Sequence, residues 1–288
     1  MGLRPDRYAT LRQIQVLDPE RDHQQICHLL AGYEFPWDVT RALEVALLRT
    51  FCVPSVSQLL DQTGEFHHHA QKRYDDTGLV VSAMLKWGYD SPKGGAFLQR
   101  MNAIHSHFPI SNQDYLYVLS TFVYEPIRWC DRYSWRPFCD QEKLACYYFW
   151  RTVGERMGIQ DIPSSYEAFE AFNQEFEAQH FRFAETNQRV ANATRQMLLS
   201  WFPKLLHPVI DIAIPGLLDA TMLNTLGWSQ APAGLQRLMT MGLKLRSGWL
   251  RQLPPRRQAN FFIDHPIRSY PQGYTVDDIG PTKLKDTL

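Results

Sequence analysis

The sequence predicts an all-α fold built as a single globular multi-helix domain. Three observations carry that expectation. Apolar residues recur at helical spacing along most of the chain. Strand-like alternation is rare, and hairpin dipeptides such as Asn-Gly are missing. No internal repeat is visible that would turn the helices into an array. The 288 residues are 44% hydrophobic and 13% aromatic, enough for a large core.

The elements follow in order. Residues 1–29 form an N-terminal segment, in which "DHQQICH" puts His23 and Cys27 on one helical face. Too few further ligands lie near for zinc, so that face reads as surface. "PWDVTRALEVALLRTF" predicts a helix with Asp38 as its N-cap, ending near Phe51. Pro54 opens a short amphipathic piece. "AQKRYDDTGLVVSAMLKWG" predicts a helix stopped by Gly88. Ser91 followed by Pro92 supplies an N-cap and a first-turn proline for the next helix, which contains "RMNAIHSHFPI". Ser111 with Asp114 resembles a capping box. It opens "DYLYVLSTFVYEPIRW", apolar nearly all round and therefore central, with Pro126 expected to kink or end it. Further helices are predicted at about 140–157, 165–180, 184–201 and 232–252.

"LLHPVIDIAIPGLLDATML", residues 205–223, is apolar but holds Pro208, Pro215, Asp211 and Asp219. Two carboxylates and two helix breakers argue against a spanning helix, so the stretch reads as broken and buried, with peripheral contact to a membrane surface as the alternative. Residues 30–253 then make up the helical domain. Residues 254–288, rich in Pro and Gly, make an irregular C-terminal tail packed on its surface.

Thirty basic residues balance thirty acidic ones. A neutral chain offers no electrostatic reason to bind nucleic acid or an anionic membrane. Five cysteines, an odd count with no CxxC pair, read as reduced thiols, and the N-terminus has no apolar core of signal-peptide length. The expectation is a cytoplasmic enzyme or small-molecule binder.

Three constellations could carry chemistry. Phe97, Met101, Ile104 and Phe108 lie on one helical stripe, and His105 falls on the same stripe. A histidine there is a satisfied core residue or a ligand to metal or cofactor. Arg73 and Thr77 in "QKRYDDT" share a helix face; such a pair can hold a carboxylate or decorate a solvated surface. Two Glu-x-x-His runs, Glu65/His68 and Glu177/His180, have the spacing of four-helix di-iron sites. No P-loop, Gly-rich phosphate loop or GxSxG is present.

"YEFPWD", "RTFCVPSVSQLLDQTGEF", "QKRYDDT", "MNAIHSHF", "YLYVLSTFVYEPIRW" and "HFRFAETNQRV" follow one another along residues 30 to 200. In that order they resemble the MpaB-type oxygenase family, distant relatives of the latex-clearing rubber oxygenases, and the "YP-GY" pattern at 270–274 fits as well. The resemblance implies an all-α fold enclosing a haem b pocket, with one axial histidine and dioxygen as co-substrate. The family's Arg-x-x-x-x-His pattern matches Arg100 and His105, which makes His105 the implied axial ligand to the haem iron. Its Arg-x-x-x-Thr pair matches Arg73 and Thr77, implied to lie beside the haem. Arg73, Thr77 and His105 are thus the implied catalytic set, and Arg73, Thr77, Arg100 and His105 the cofactor-binding set. His107 is a second histidine two residues on; both cannot readily face one iron, and the apolar stripe favours His105. His180 is either a distal or substrate-pocket residue or a structural histidine. The expected partners are dioxygen and a small apolar substrate, an alkene or isoprenoid among them. The alternatives are a di-iron carboxylate oxygenase and a non-catalytic binder of haem or hydrophobic ligands.

Overall fold

The computed structural model describes residues 6–281. Fourteen α-helices and no strand occur among them, as the apolar periodicity predicts. α1 (Ala9–Gln15) and α2 (His23–Leu29) lead through a π-helical turn at Leu30–Glu34 into α3 (Pro36–Thr50). α4 (Pro54–Thr63) and the single turn of α5 (Glu65–His68) precede α6 (Ala70–Trp87), α7 (Pro92–His105) and the long α8 (Asn112–Tyr133). α9 (Asp140–Arg156), α10 (Tyr166–His180) and α11 (Glu185–Ser200) follow, then α12 (His207–Ala213), α13 (Ala220–Leu226) and α14 (Ala233–Gln252).

α8 is the central element, packing against α3, α9 and α10, while α6 packs on α7. Its Leu116, Leu119, Val123, Tyr124 and Ile127 are buried in the main core. Pro126 lies inside α8 and does not end it. The N-terminal segment shares this core through Ile14, Ile26 and Cys27. The His23/Cys27 face is therefore not surface: Cys27 is buried against the Ala145 carbonyl, and His23 reaches the Tyr89 hydroxyl.

Local chemistry sets the helix starts. Ser91 Oγ accepts from the Gly94 amide at 2.9 Å, and Ser111 Oγ accepts from the Asp114 amide at 3.1 Å, so both expected N-caps are made. Asp38 is not an N-cap. Pro36 starts α3 one turn earlier than the sequence suggested, and the Asp38 carboxylate is instead buried against Arg246 (3.0 Å) and the Trp129 indole (3.2 Å). Gly88 ends α6 at φ +79°, a conformation open to glycine and strained for other residues.

Buried charges occur as clusters. Arg49 pairs with Glu125, Glu177 and Asp219 at 3.0, 2.8 and 2.6 Å, and Arg136 pairs with Glu34 and Glu142, each at 2.7 Å. These clusters tie α3 to α8, α10 and α13, and the π-helical turn to α9. Single-residue periodicity does not reveal them.

Two expectations are corrected here. The 205–223 stretch is broken as predicted, and the segments Lys204–Leu217 and Ala220–Leu226 meet at 119°. Its first half is not buried, because Leu205, Leu206, Val209 and Ile212 all face solvent. Among the described residues no single helix is long and apolar enough to cross a membrane. The tail is irregular as expected but does more than cover the surface. Phe261, Ile267 and Ile279 enter the main core, and Asp75, Asp76, Lys72 and Arg100 all bond to tail atoms. Residues 282–288 of the predicted tail and 1–5 of the N-terminal segment lie outside the described residues.

Candidate active site

A cavity of about 830 Å³ lies inside the helical domain. α3, α4, α6, α7, α8, α9 and the tail all contribute to its wall. Val39, Leu43, Val80, Leu119, Phe122, Trp150 and Phe261 give it a largely apolar lining. That size and character suit a drug-sized or larger flat apolar ligand.

His105 is the last residue of α7 and faces this cavity. Its Nδ1 is buried with no hydrogen-bond partner among the described residues. The Tyr115 ring lies 5.7 Å away, centroid to centroid. Burial first, and the Arg73 cation second, push the imidazole down to about 4, so the ring is neutral at physiological pH. A neutral imidazole with an orphaned buried nitrogen, at the wall of an apolar cavity, is a poor structural residue. It is a good metal ligand. His107 points elsewhere: it is exposed, and its Nδ1 donates to the Ala103 carbonyl at 2.8 Å. The helix ends at His105, so the two histidines diverge as the chain turns.

Arg73 and Thr77 line the same cavity. The Arg73 guanidinium donates to Thr77 Oγ1, and Thr77 Oγ1 donates to the Arg73 carbonyl at 3.0 Å. No carboxylate among the described residues lies within ion-pair distance of Arg73. Burial lowers its pKa, while Asp76 and Glu65 act on it only from further off. A cation held by a neutral hydroxyl at a cavity wall can pair with an anionic group of a ligand.

His180 stands on another part of the wall, at the end of α10. Its ring stacks on Phe176 with centroids 4.0 Å apart, and its Nδ1 donates to the Phe176 carbonyl at 2.9 Å. That bond fixes the tautomer and leaves Nε2 as an acceptor. Arg100 does not line the cavity. It is buried one turn before His105, donating to the carbonyls of Ile279 (2.9 Å) and Asp277 (2.8 Å). It pins the tail, whose Ile279 and Gly280 do reach the cavity wall.

The wall also holds a pair that sequence reasoning missed. The Tyr74 hydroxyl donates to Glu44 at 2.6 Å, and Arg41 approaches the same carboxylate oxygen. Burial pushes the Glu44 carboxyl up against the opposing pull of Arg41 and Tyr74. Glu44 lies on α3 among apolar neighbours with no motif around it, so only the fold reveals it.

The Glu-x-x-His runs do not build a metal site. Glu177 is tied to Arg49 and Tyr117, and His68 is exposed. No group of three or more His, Cys, Asp or Glu side chains arranged to hold a metal ion occurs among the described residues.

Residues 39–246 match the family described as "ER-bound oxygenase mpaB/B'/Rubber oxygenase, catalytic domain". The chain belongs to this family. Its relatives include the ER-bound oxygenase mpaB' of Penicillium brevicompactum, 25% identical over 319 aligned positions that cover 88% of this chain and 75% of the relative. The ER-bound oxygenase mpaB of Penicillium roqueforti is 29% identical, covering 70% of this chain and 78% of the relative. The matched region holds Arg73, Thr77, His105 and His180. It stops before the tail that completes the cavity wall.

Proposed function

We propose that this MpaB-family chain is a haem b-dependent oxygenase acting on a small apolar substrate. The observation that supports the cofactor is the pairing of a neutral, unpartnered His105 with an unneutralised Arg73 on one apolar cavity. Haem b asks for that donor set: an imidazole nitrogen for iron, cationic and hydroxyl groups for the propionates, and an apolar slot for the macrocycle. His105 would offer a ring nitrogen to the iron, and Arg73 with Thr77 would hold a propionate.

When bound, haem supplies the redox chemistry with dioxygen. The chain's own residues prepare the site. Burial keeps the His105 imidazole deprotonated and available as a donor. Thr77 orients the Arg73 guanidinium, so its remaining N–H groups point at an anion without reorganisation. The lining of Leu, Val, Phe and Trp side chains excludes water and selects apolar substrates, with alkenes of isoprenoid type as the first class to test. His180, its Nδ1 proton fixed by the Phe176 carbonyl, offers Nε2 as an acceptor at the cavity wall. Arg100 acts as a positioning residue, holding the tail against the helix that presents His105.

The test is oxygen uptake by protein supplied with hemin, a reductant and a panel of apolar alkenes. Substrate-dependent uptake that is lost in His105→Ala is expected. A protein that binds hemin firmly yet consumes no oxygen with any substrate or reductant would instead be a haem carrier.

A further inference from the structure

α12 and α14 pack against each other. On an ordinary surface helix the apolar side faces in and the charged side faces out. Here several polar groups face in, beside half-buried Leu235, Met239, Leu243 and Leu250 of α14. Asp211 of α12 pairs with Arg195 at 2.6 Å, and Asp219, the N-cap of α13, pairs with Arg49. On α14, Arg246 bonds Asp38, Ser247 donates to the Ser134 carbonyl at 2.7 Å, and Arg251 donates to the Trp135 carbonyl at 2.8 Å. Ser247 is the buried residue of α14.

The outward faces carry large apolar side chains. Leu205 (88% exposed), Leu206, Val209 and Ile212 project from α12 and the turn before it. Leu238, Met241, Leu245 (67%) and Trp249 (64%) project from α14 at i, i+3, i+7 and i+11, one continuous stripe. Exposed apolar area on this scale marks an interaction surface.

Charge identifies the occupant. From residue 220 to residue 263 the chain carries six basic side chains and no Asp or Glu. Arg237, Lys244, Arg256 and Arg257 are exposed. Arg237 and Lys244 line a shallow surface recess together with Met241 and Leu245, so cations and apolar groups alternate at the same spot. A second copy of the chain meeting this face would bring the same cations against it, with no acid in the stretch to pair them. An anionic bilayer satisfies both features at once: headgroups meet the Arg and Lys side chains, and the acyl boundary takes Leu245, Met241 and an interfacial Trp249.

We infer that the α12–α14 face is a membrane-docking surface that lies on anionic lipid without crossing it. Its segment begins near the catalytic cavity. Trp201 bonds Gln71 at 2.6 Å and packs on Tyr74, a cavity-wall residue, at 5.0 Å between ring centroids. The docked face thus sets the cavity wall close to a reservoir of apolar molecules. The docking inference itself does not depend on the haem assignment.

Co-sedimentation with vesicles tests it, using phosphatidylcholine alone and phosphatidylcholine mixed with phosphatidylserine. The parent chain is expected to pellet with the mixed vesicles, to be released by salt, and to bind neutral vesicles weakly. Leu245→Glu/Trp249→Glu, Leu205→Glu/Val209→Glu and Arg237→Glu/Lys244→Glu should each weaken the anionic-vesicle binding by about tenfold or more. All six side chains are exposed, and far-UV circular dichroism of each variant checks that the helices persist. Failure of the parent to bind mixed vesicles, or undiminished binding by all three variants, overturns the inference. So would a stable dimer that Leu245→Glu/Trp249→Glu converts to monomer, since the face would then belong to a second copy.

Discussion

Arg73 and Thr77, one turn apart on α6, are bonded to each other at the wall of the cavity, and no carboxylate among the described residues pairs with the Arg73 cation. An arginine in that state costs stability until an anion arrives. The sign of its contribution therefore depends on what is bound.

Arg73→Met should stabilise the ligand-free protein, on the order of 1 kcal/mol, because a desolvated unpaired charge is replaced by an apolar group of similar length. The same substitution should weaken hemin binding by about tenfold or more, since charge-assisted hydrogen bonds to a carboxylate are lost. Urea denaturation with and without hemin reads both effects. A variant less stable than the parent in both conditions would give Arg73 a purely structural role.

His105 has a folded-state pKa of about 4, below the ordinary value of 6.5. The unfolded chain therefore binds the proton more readily than the folded one, and stability falls as pH drops from about 6.5 toward 4. The full contribution is present above pH 6.5. The loss attributable to this ring reaches about 3 kcal/mol near pH 4. His105→Phe should flatten that part of the stability profile of the ligand-free protein. An unchanged profile in the variant would mean that the ring is not held neutral by the fold.

Arg100→Ala removes two buried hydrogen bonds and leaves the Ile279 and Asp277 carbonyls unpartnered. A loss of about 2–3 kcal/mol is expected. Limited proteolysis should cut the tail after residue 264 faster in the variant than in the parent. Equal cutting rates would separate Arg100 from tail docking.

Arg49→Ala leaves Glu125, Glu177 and Asp219 without their shared cation, with Arg128 still 2.9 Å from Glu125 and 4.0 Å from Glu177. Breaking a buried cluster from one side should cost about 3–5 kcal/mol. Thermal unfolding measures it, and a shift of only a degree or two would show that the carboxylates find other partners.

The helices were legible because their signals are local. Ser91, Ser111 and Gly88 act where they stand in the chain, and the later helix ends fall within a residue or two of the apolar periodicity. His105 stood out because a polar ring on an apolar stripe contradicts its surroundings, and the structure puts it on the cavity wall. Long-range partners were not legible. Asp38 looked like a helix cap because caps are read locally, whereas Arg246, 208 residues away, determines its place. Arg100 matched a cofactor pattern, yet its partners are tail carbonyls 177 and 179 residues on. The 205–223 stretch looked buried because apolar residues usually are. Its two acids pair with Arg49 and Arg195, while Leu205, Leu206, Val209 and Ile212 face solvent.

A haem held by His105 and Arg73, as proposed, would show in the absorption of the protein. The most direct measurement is the absorption spectrum of the purified protein, before and after hemin, with iron quantified on the same sample, for the parent and His105→Ala. The account predicts a Soret band in the parent that shifts with dithionite and again with carbon monoxide, and its loss or strong reduction in His105→Ala. Iron without a Soret band, no Soret shift on adding hemin, or an unchanged spectrum at full haem content in His105→Ala would contradict it.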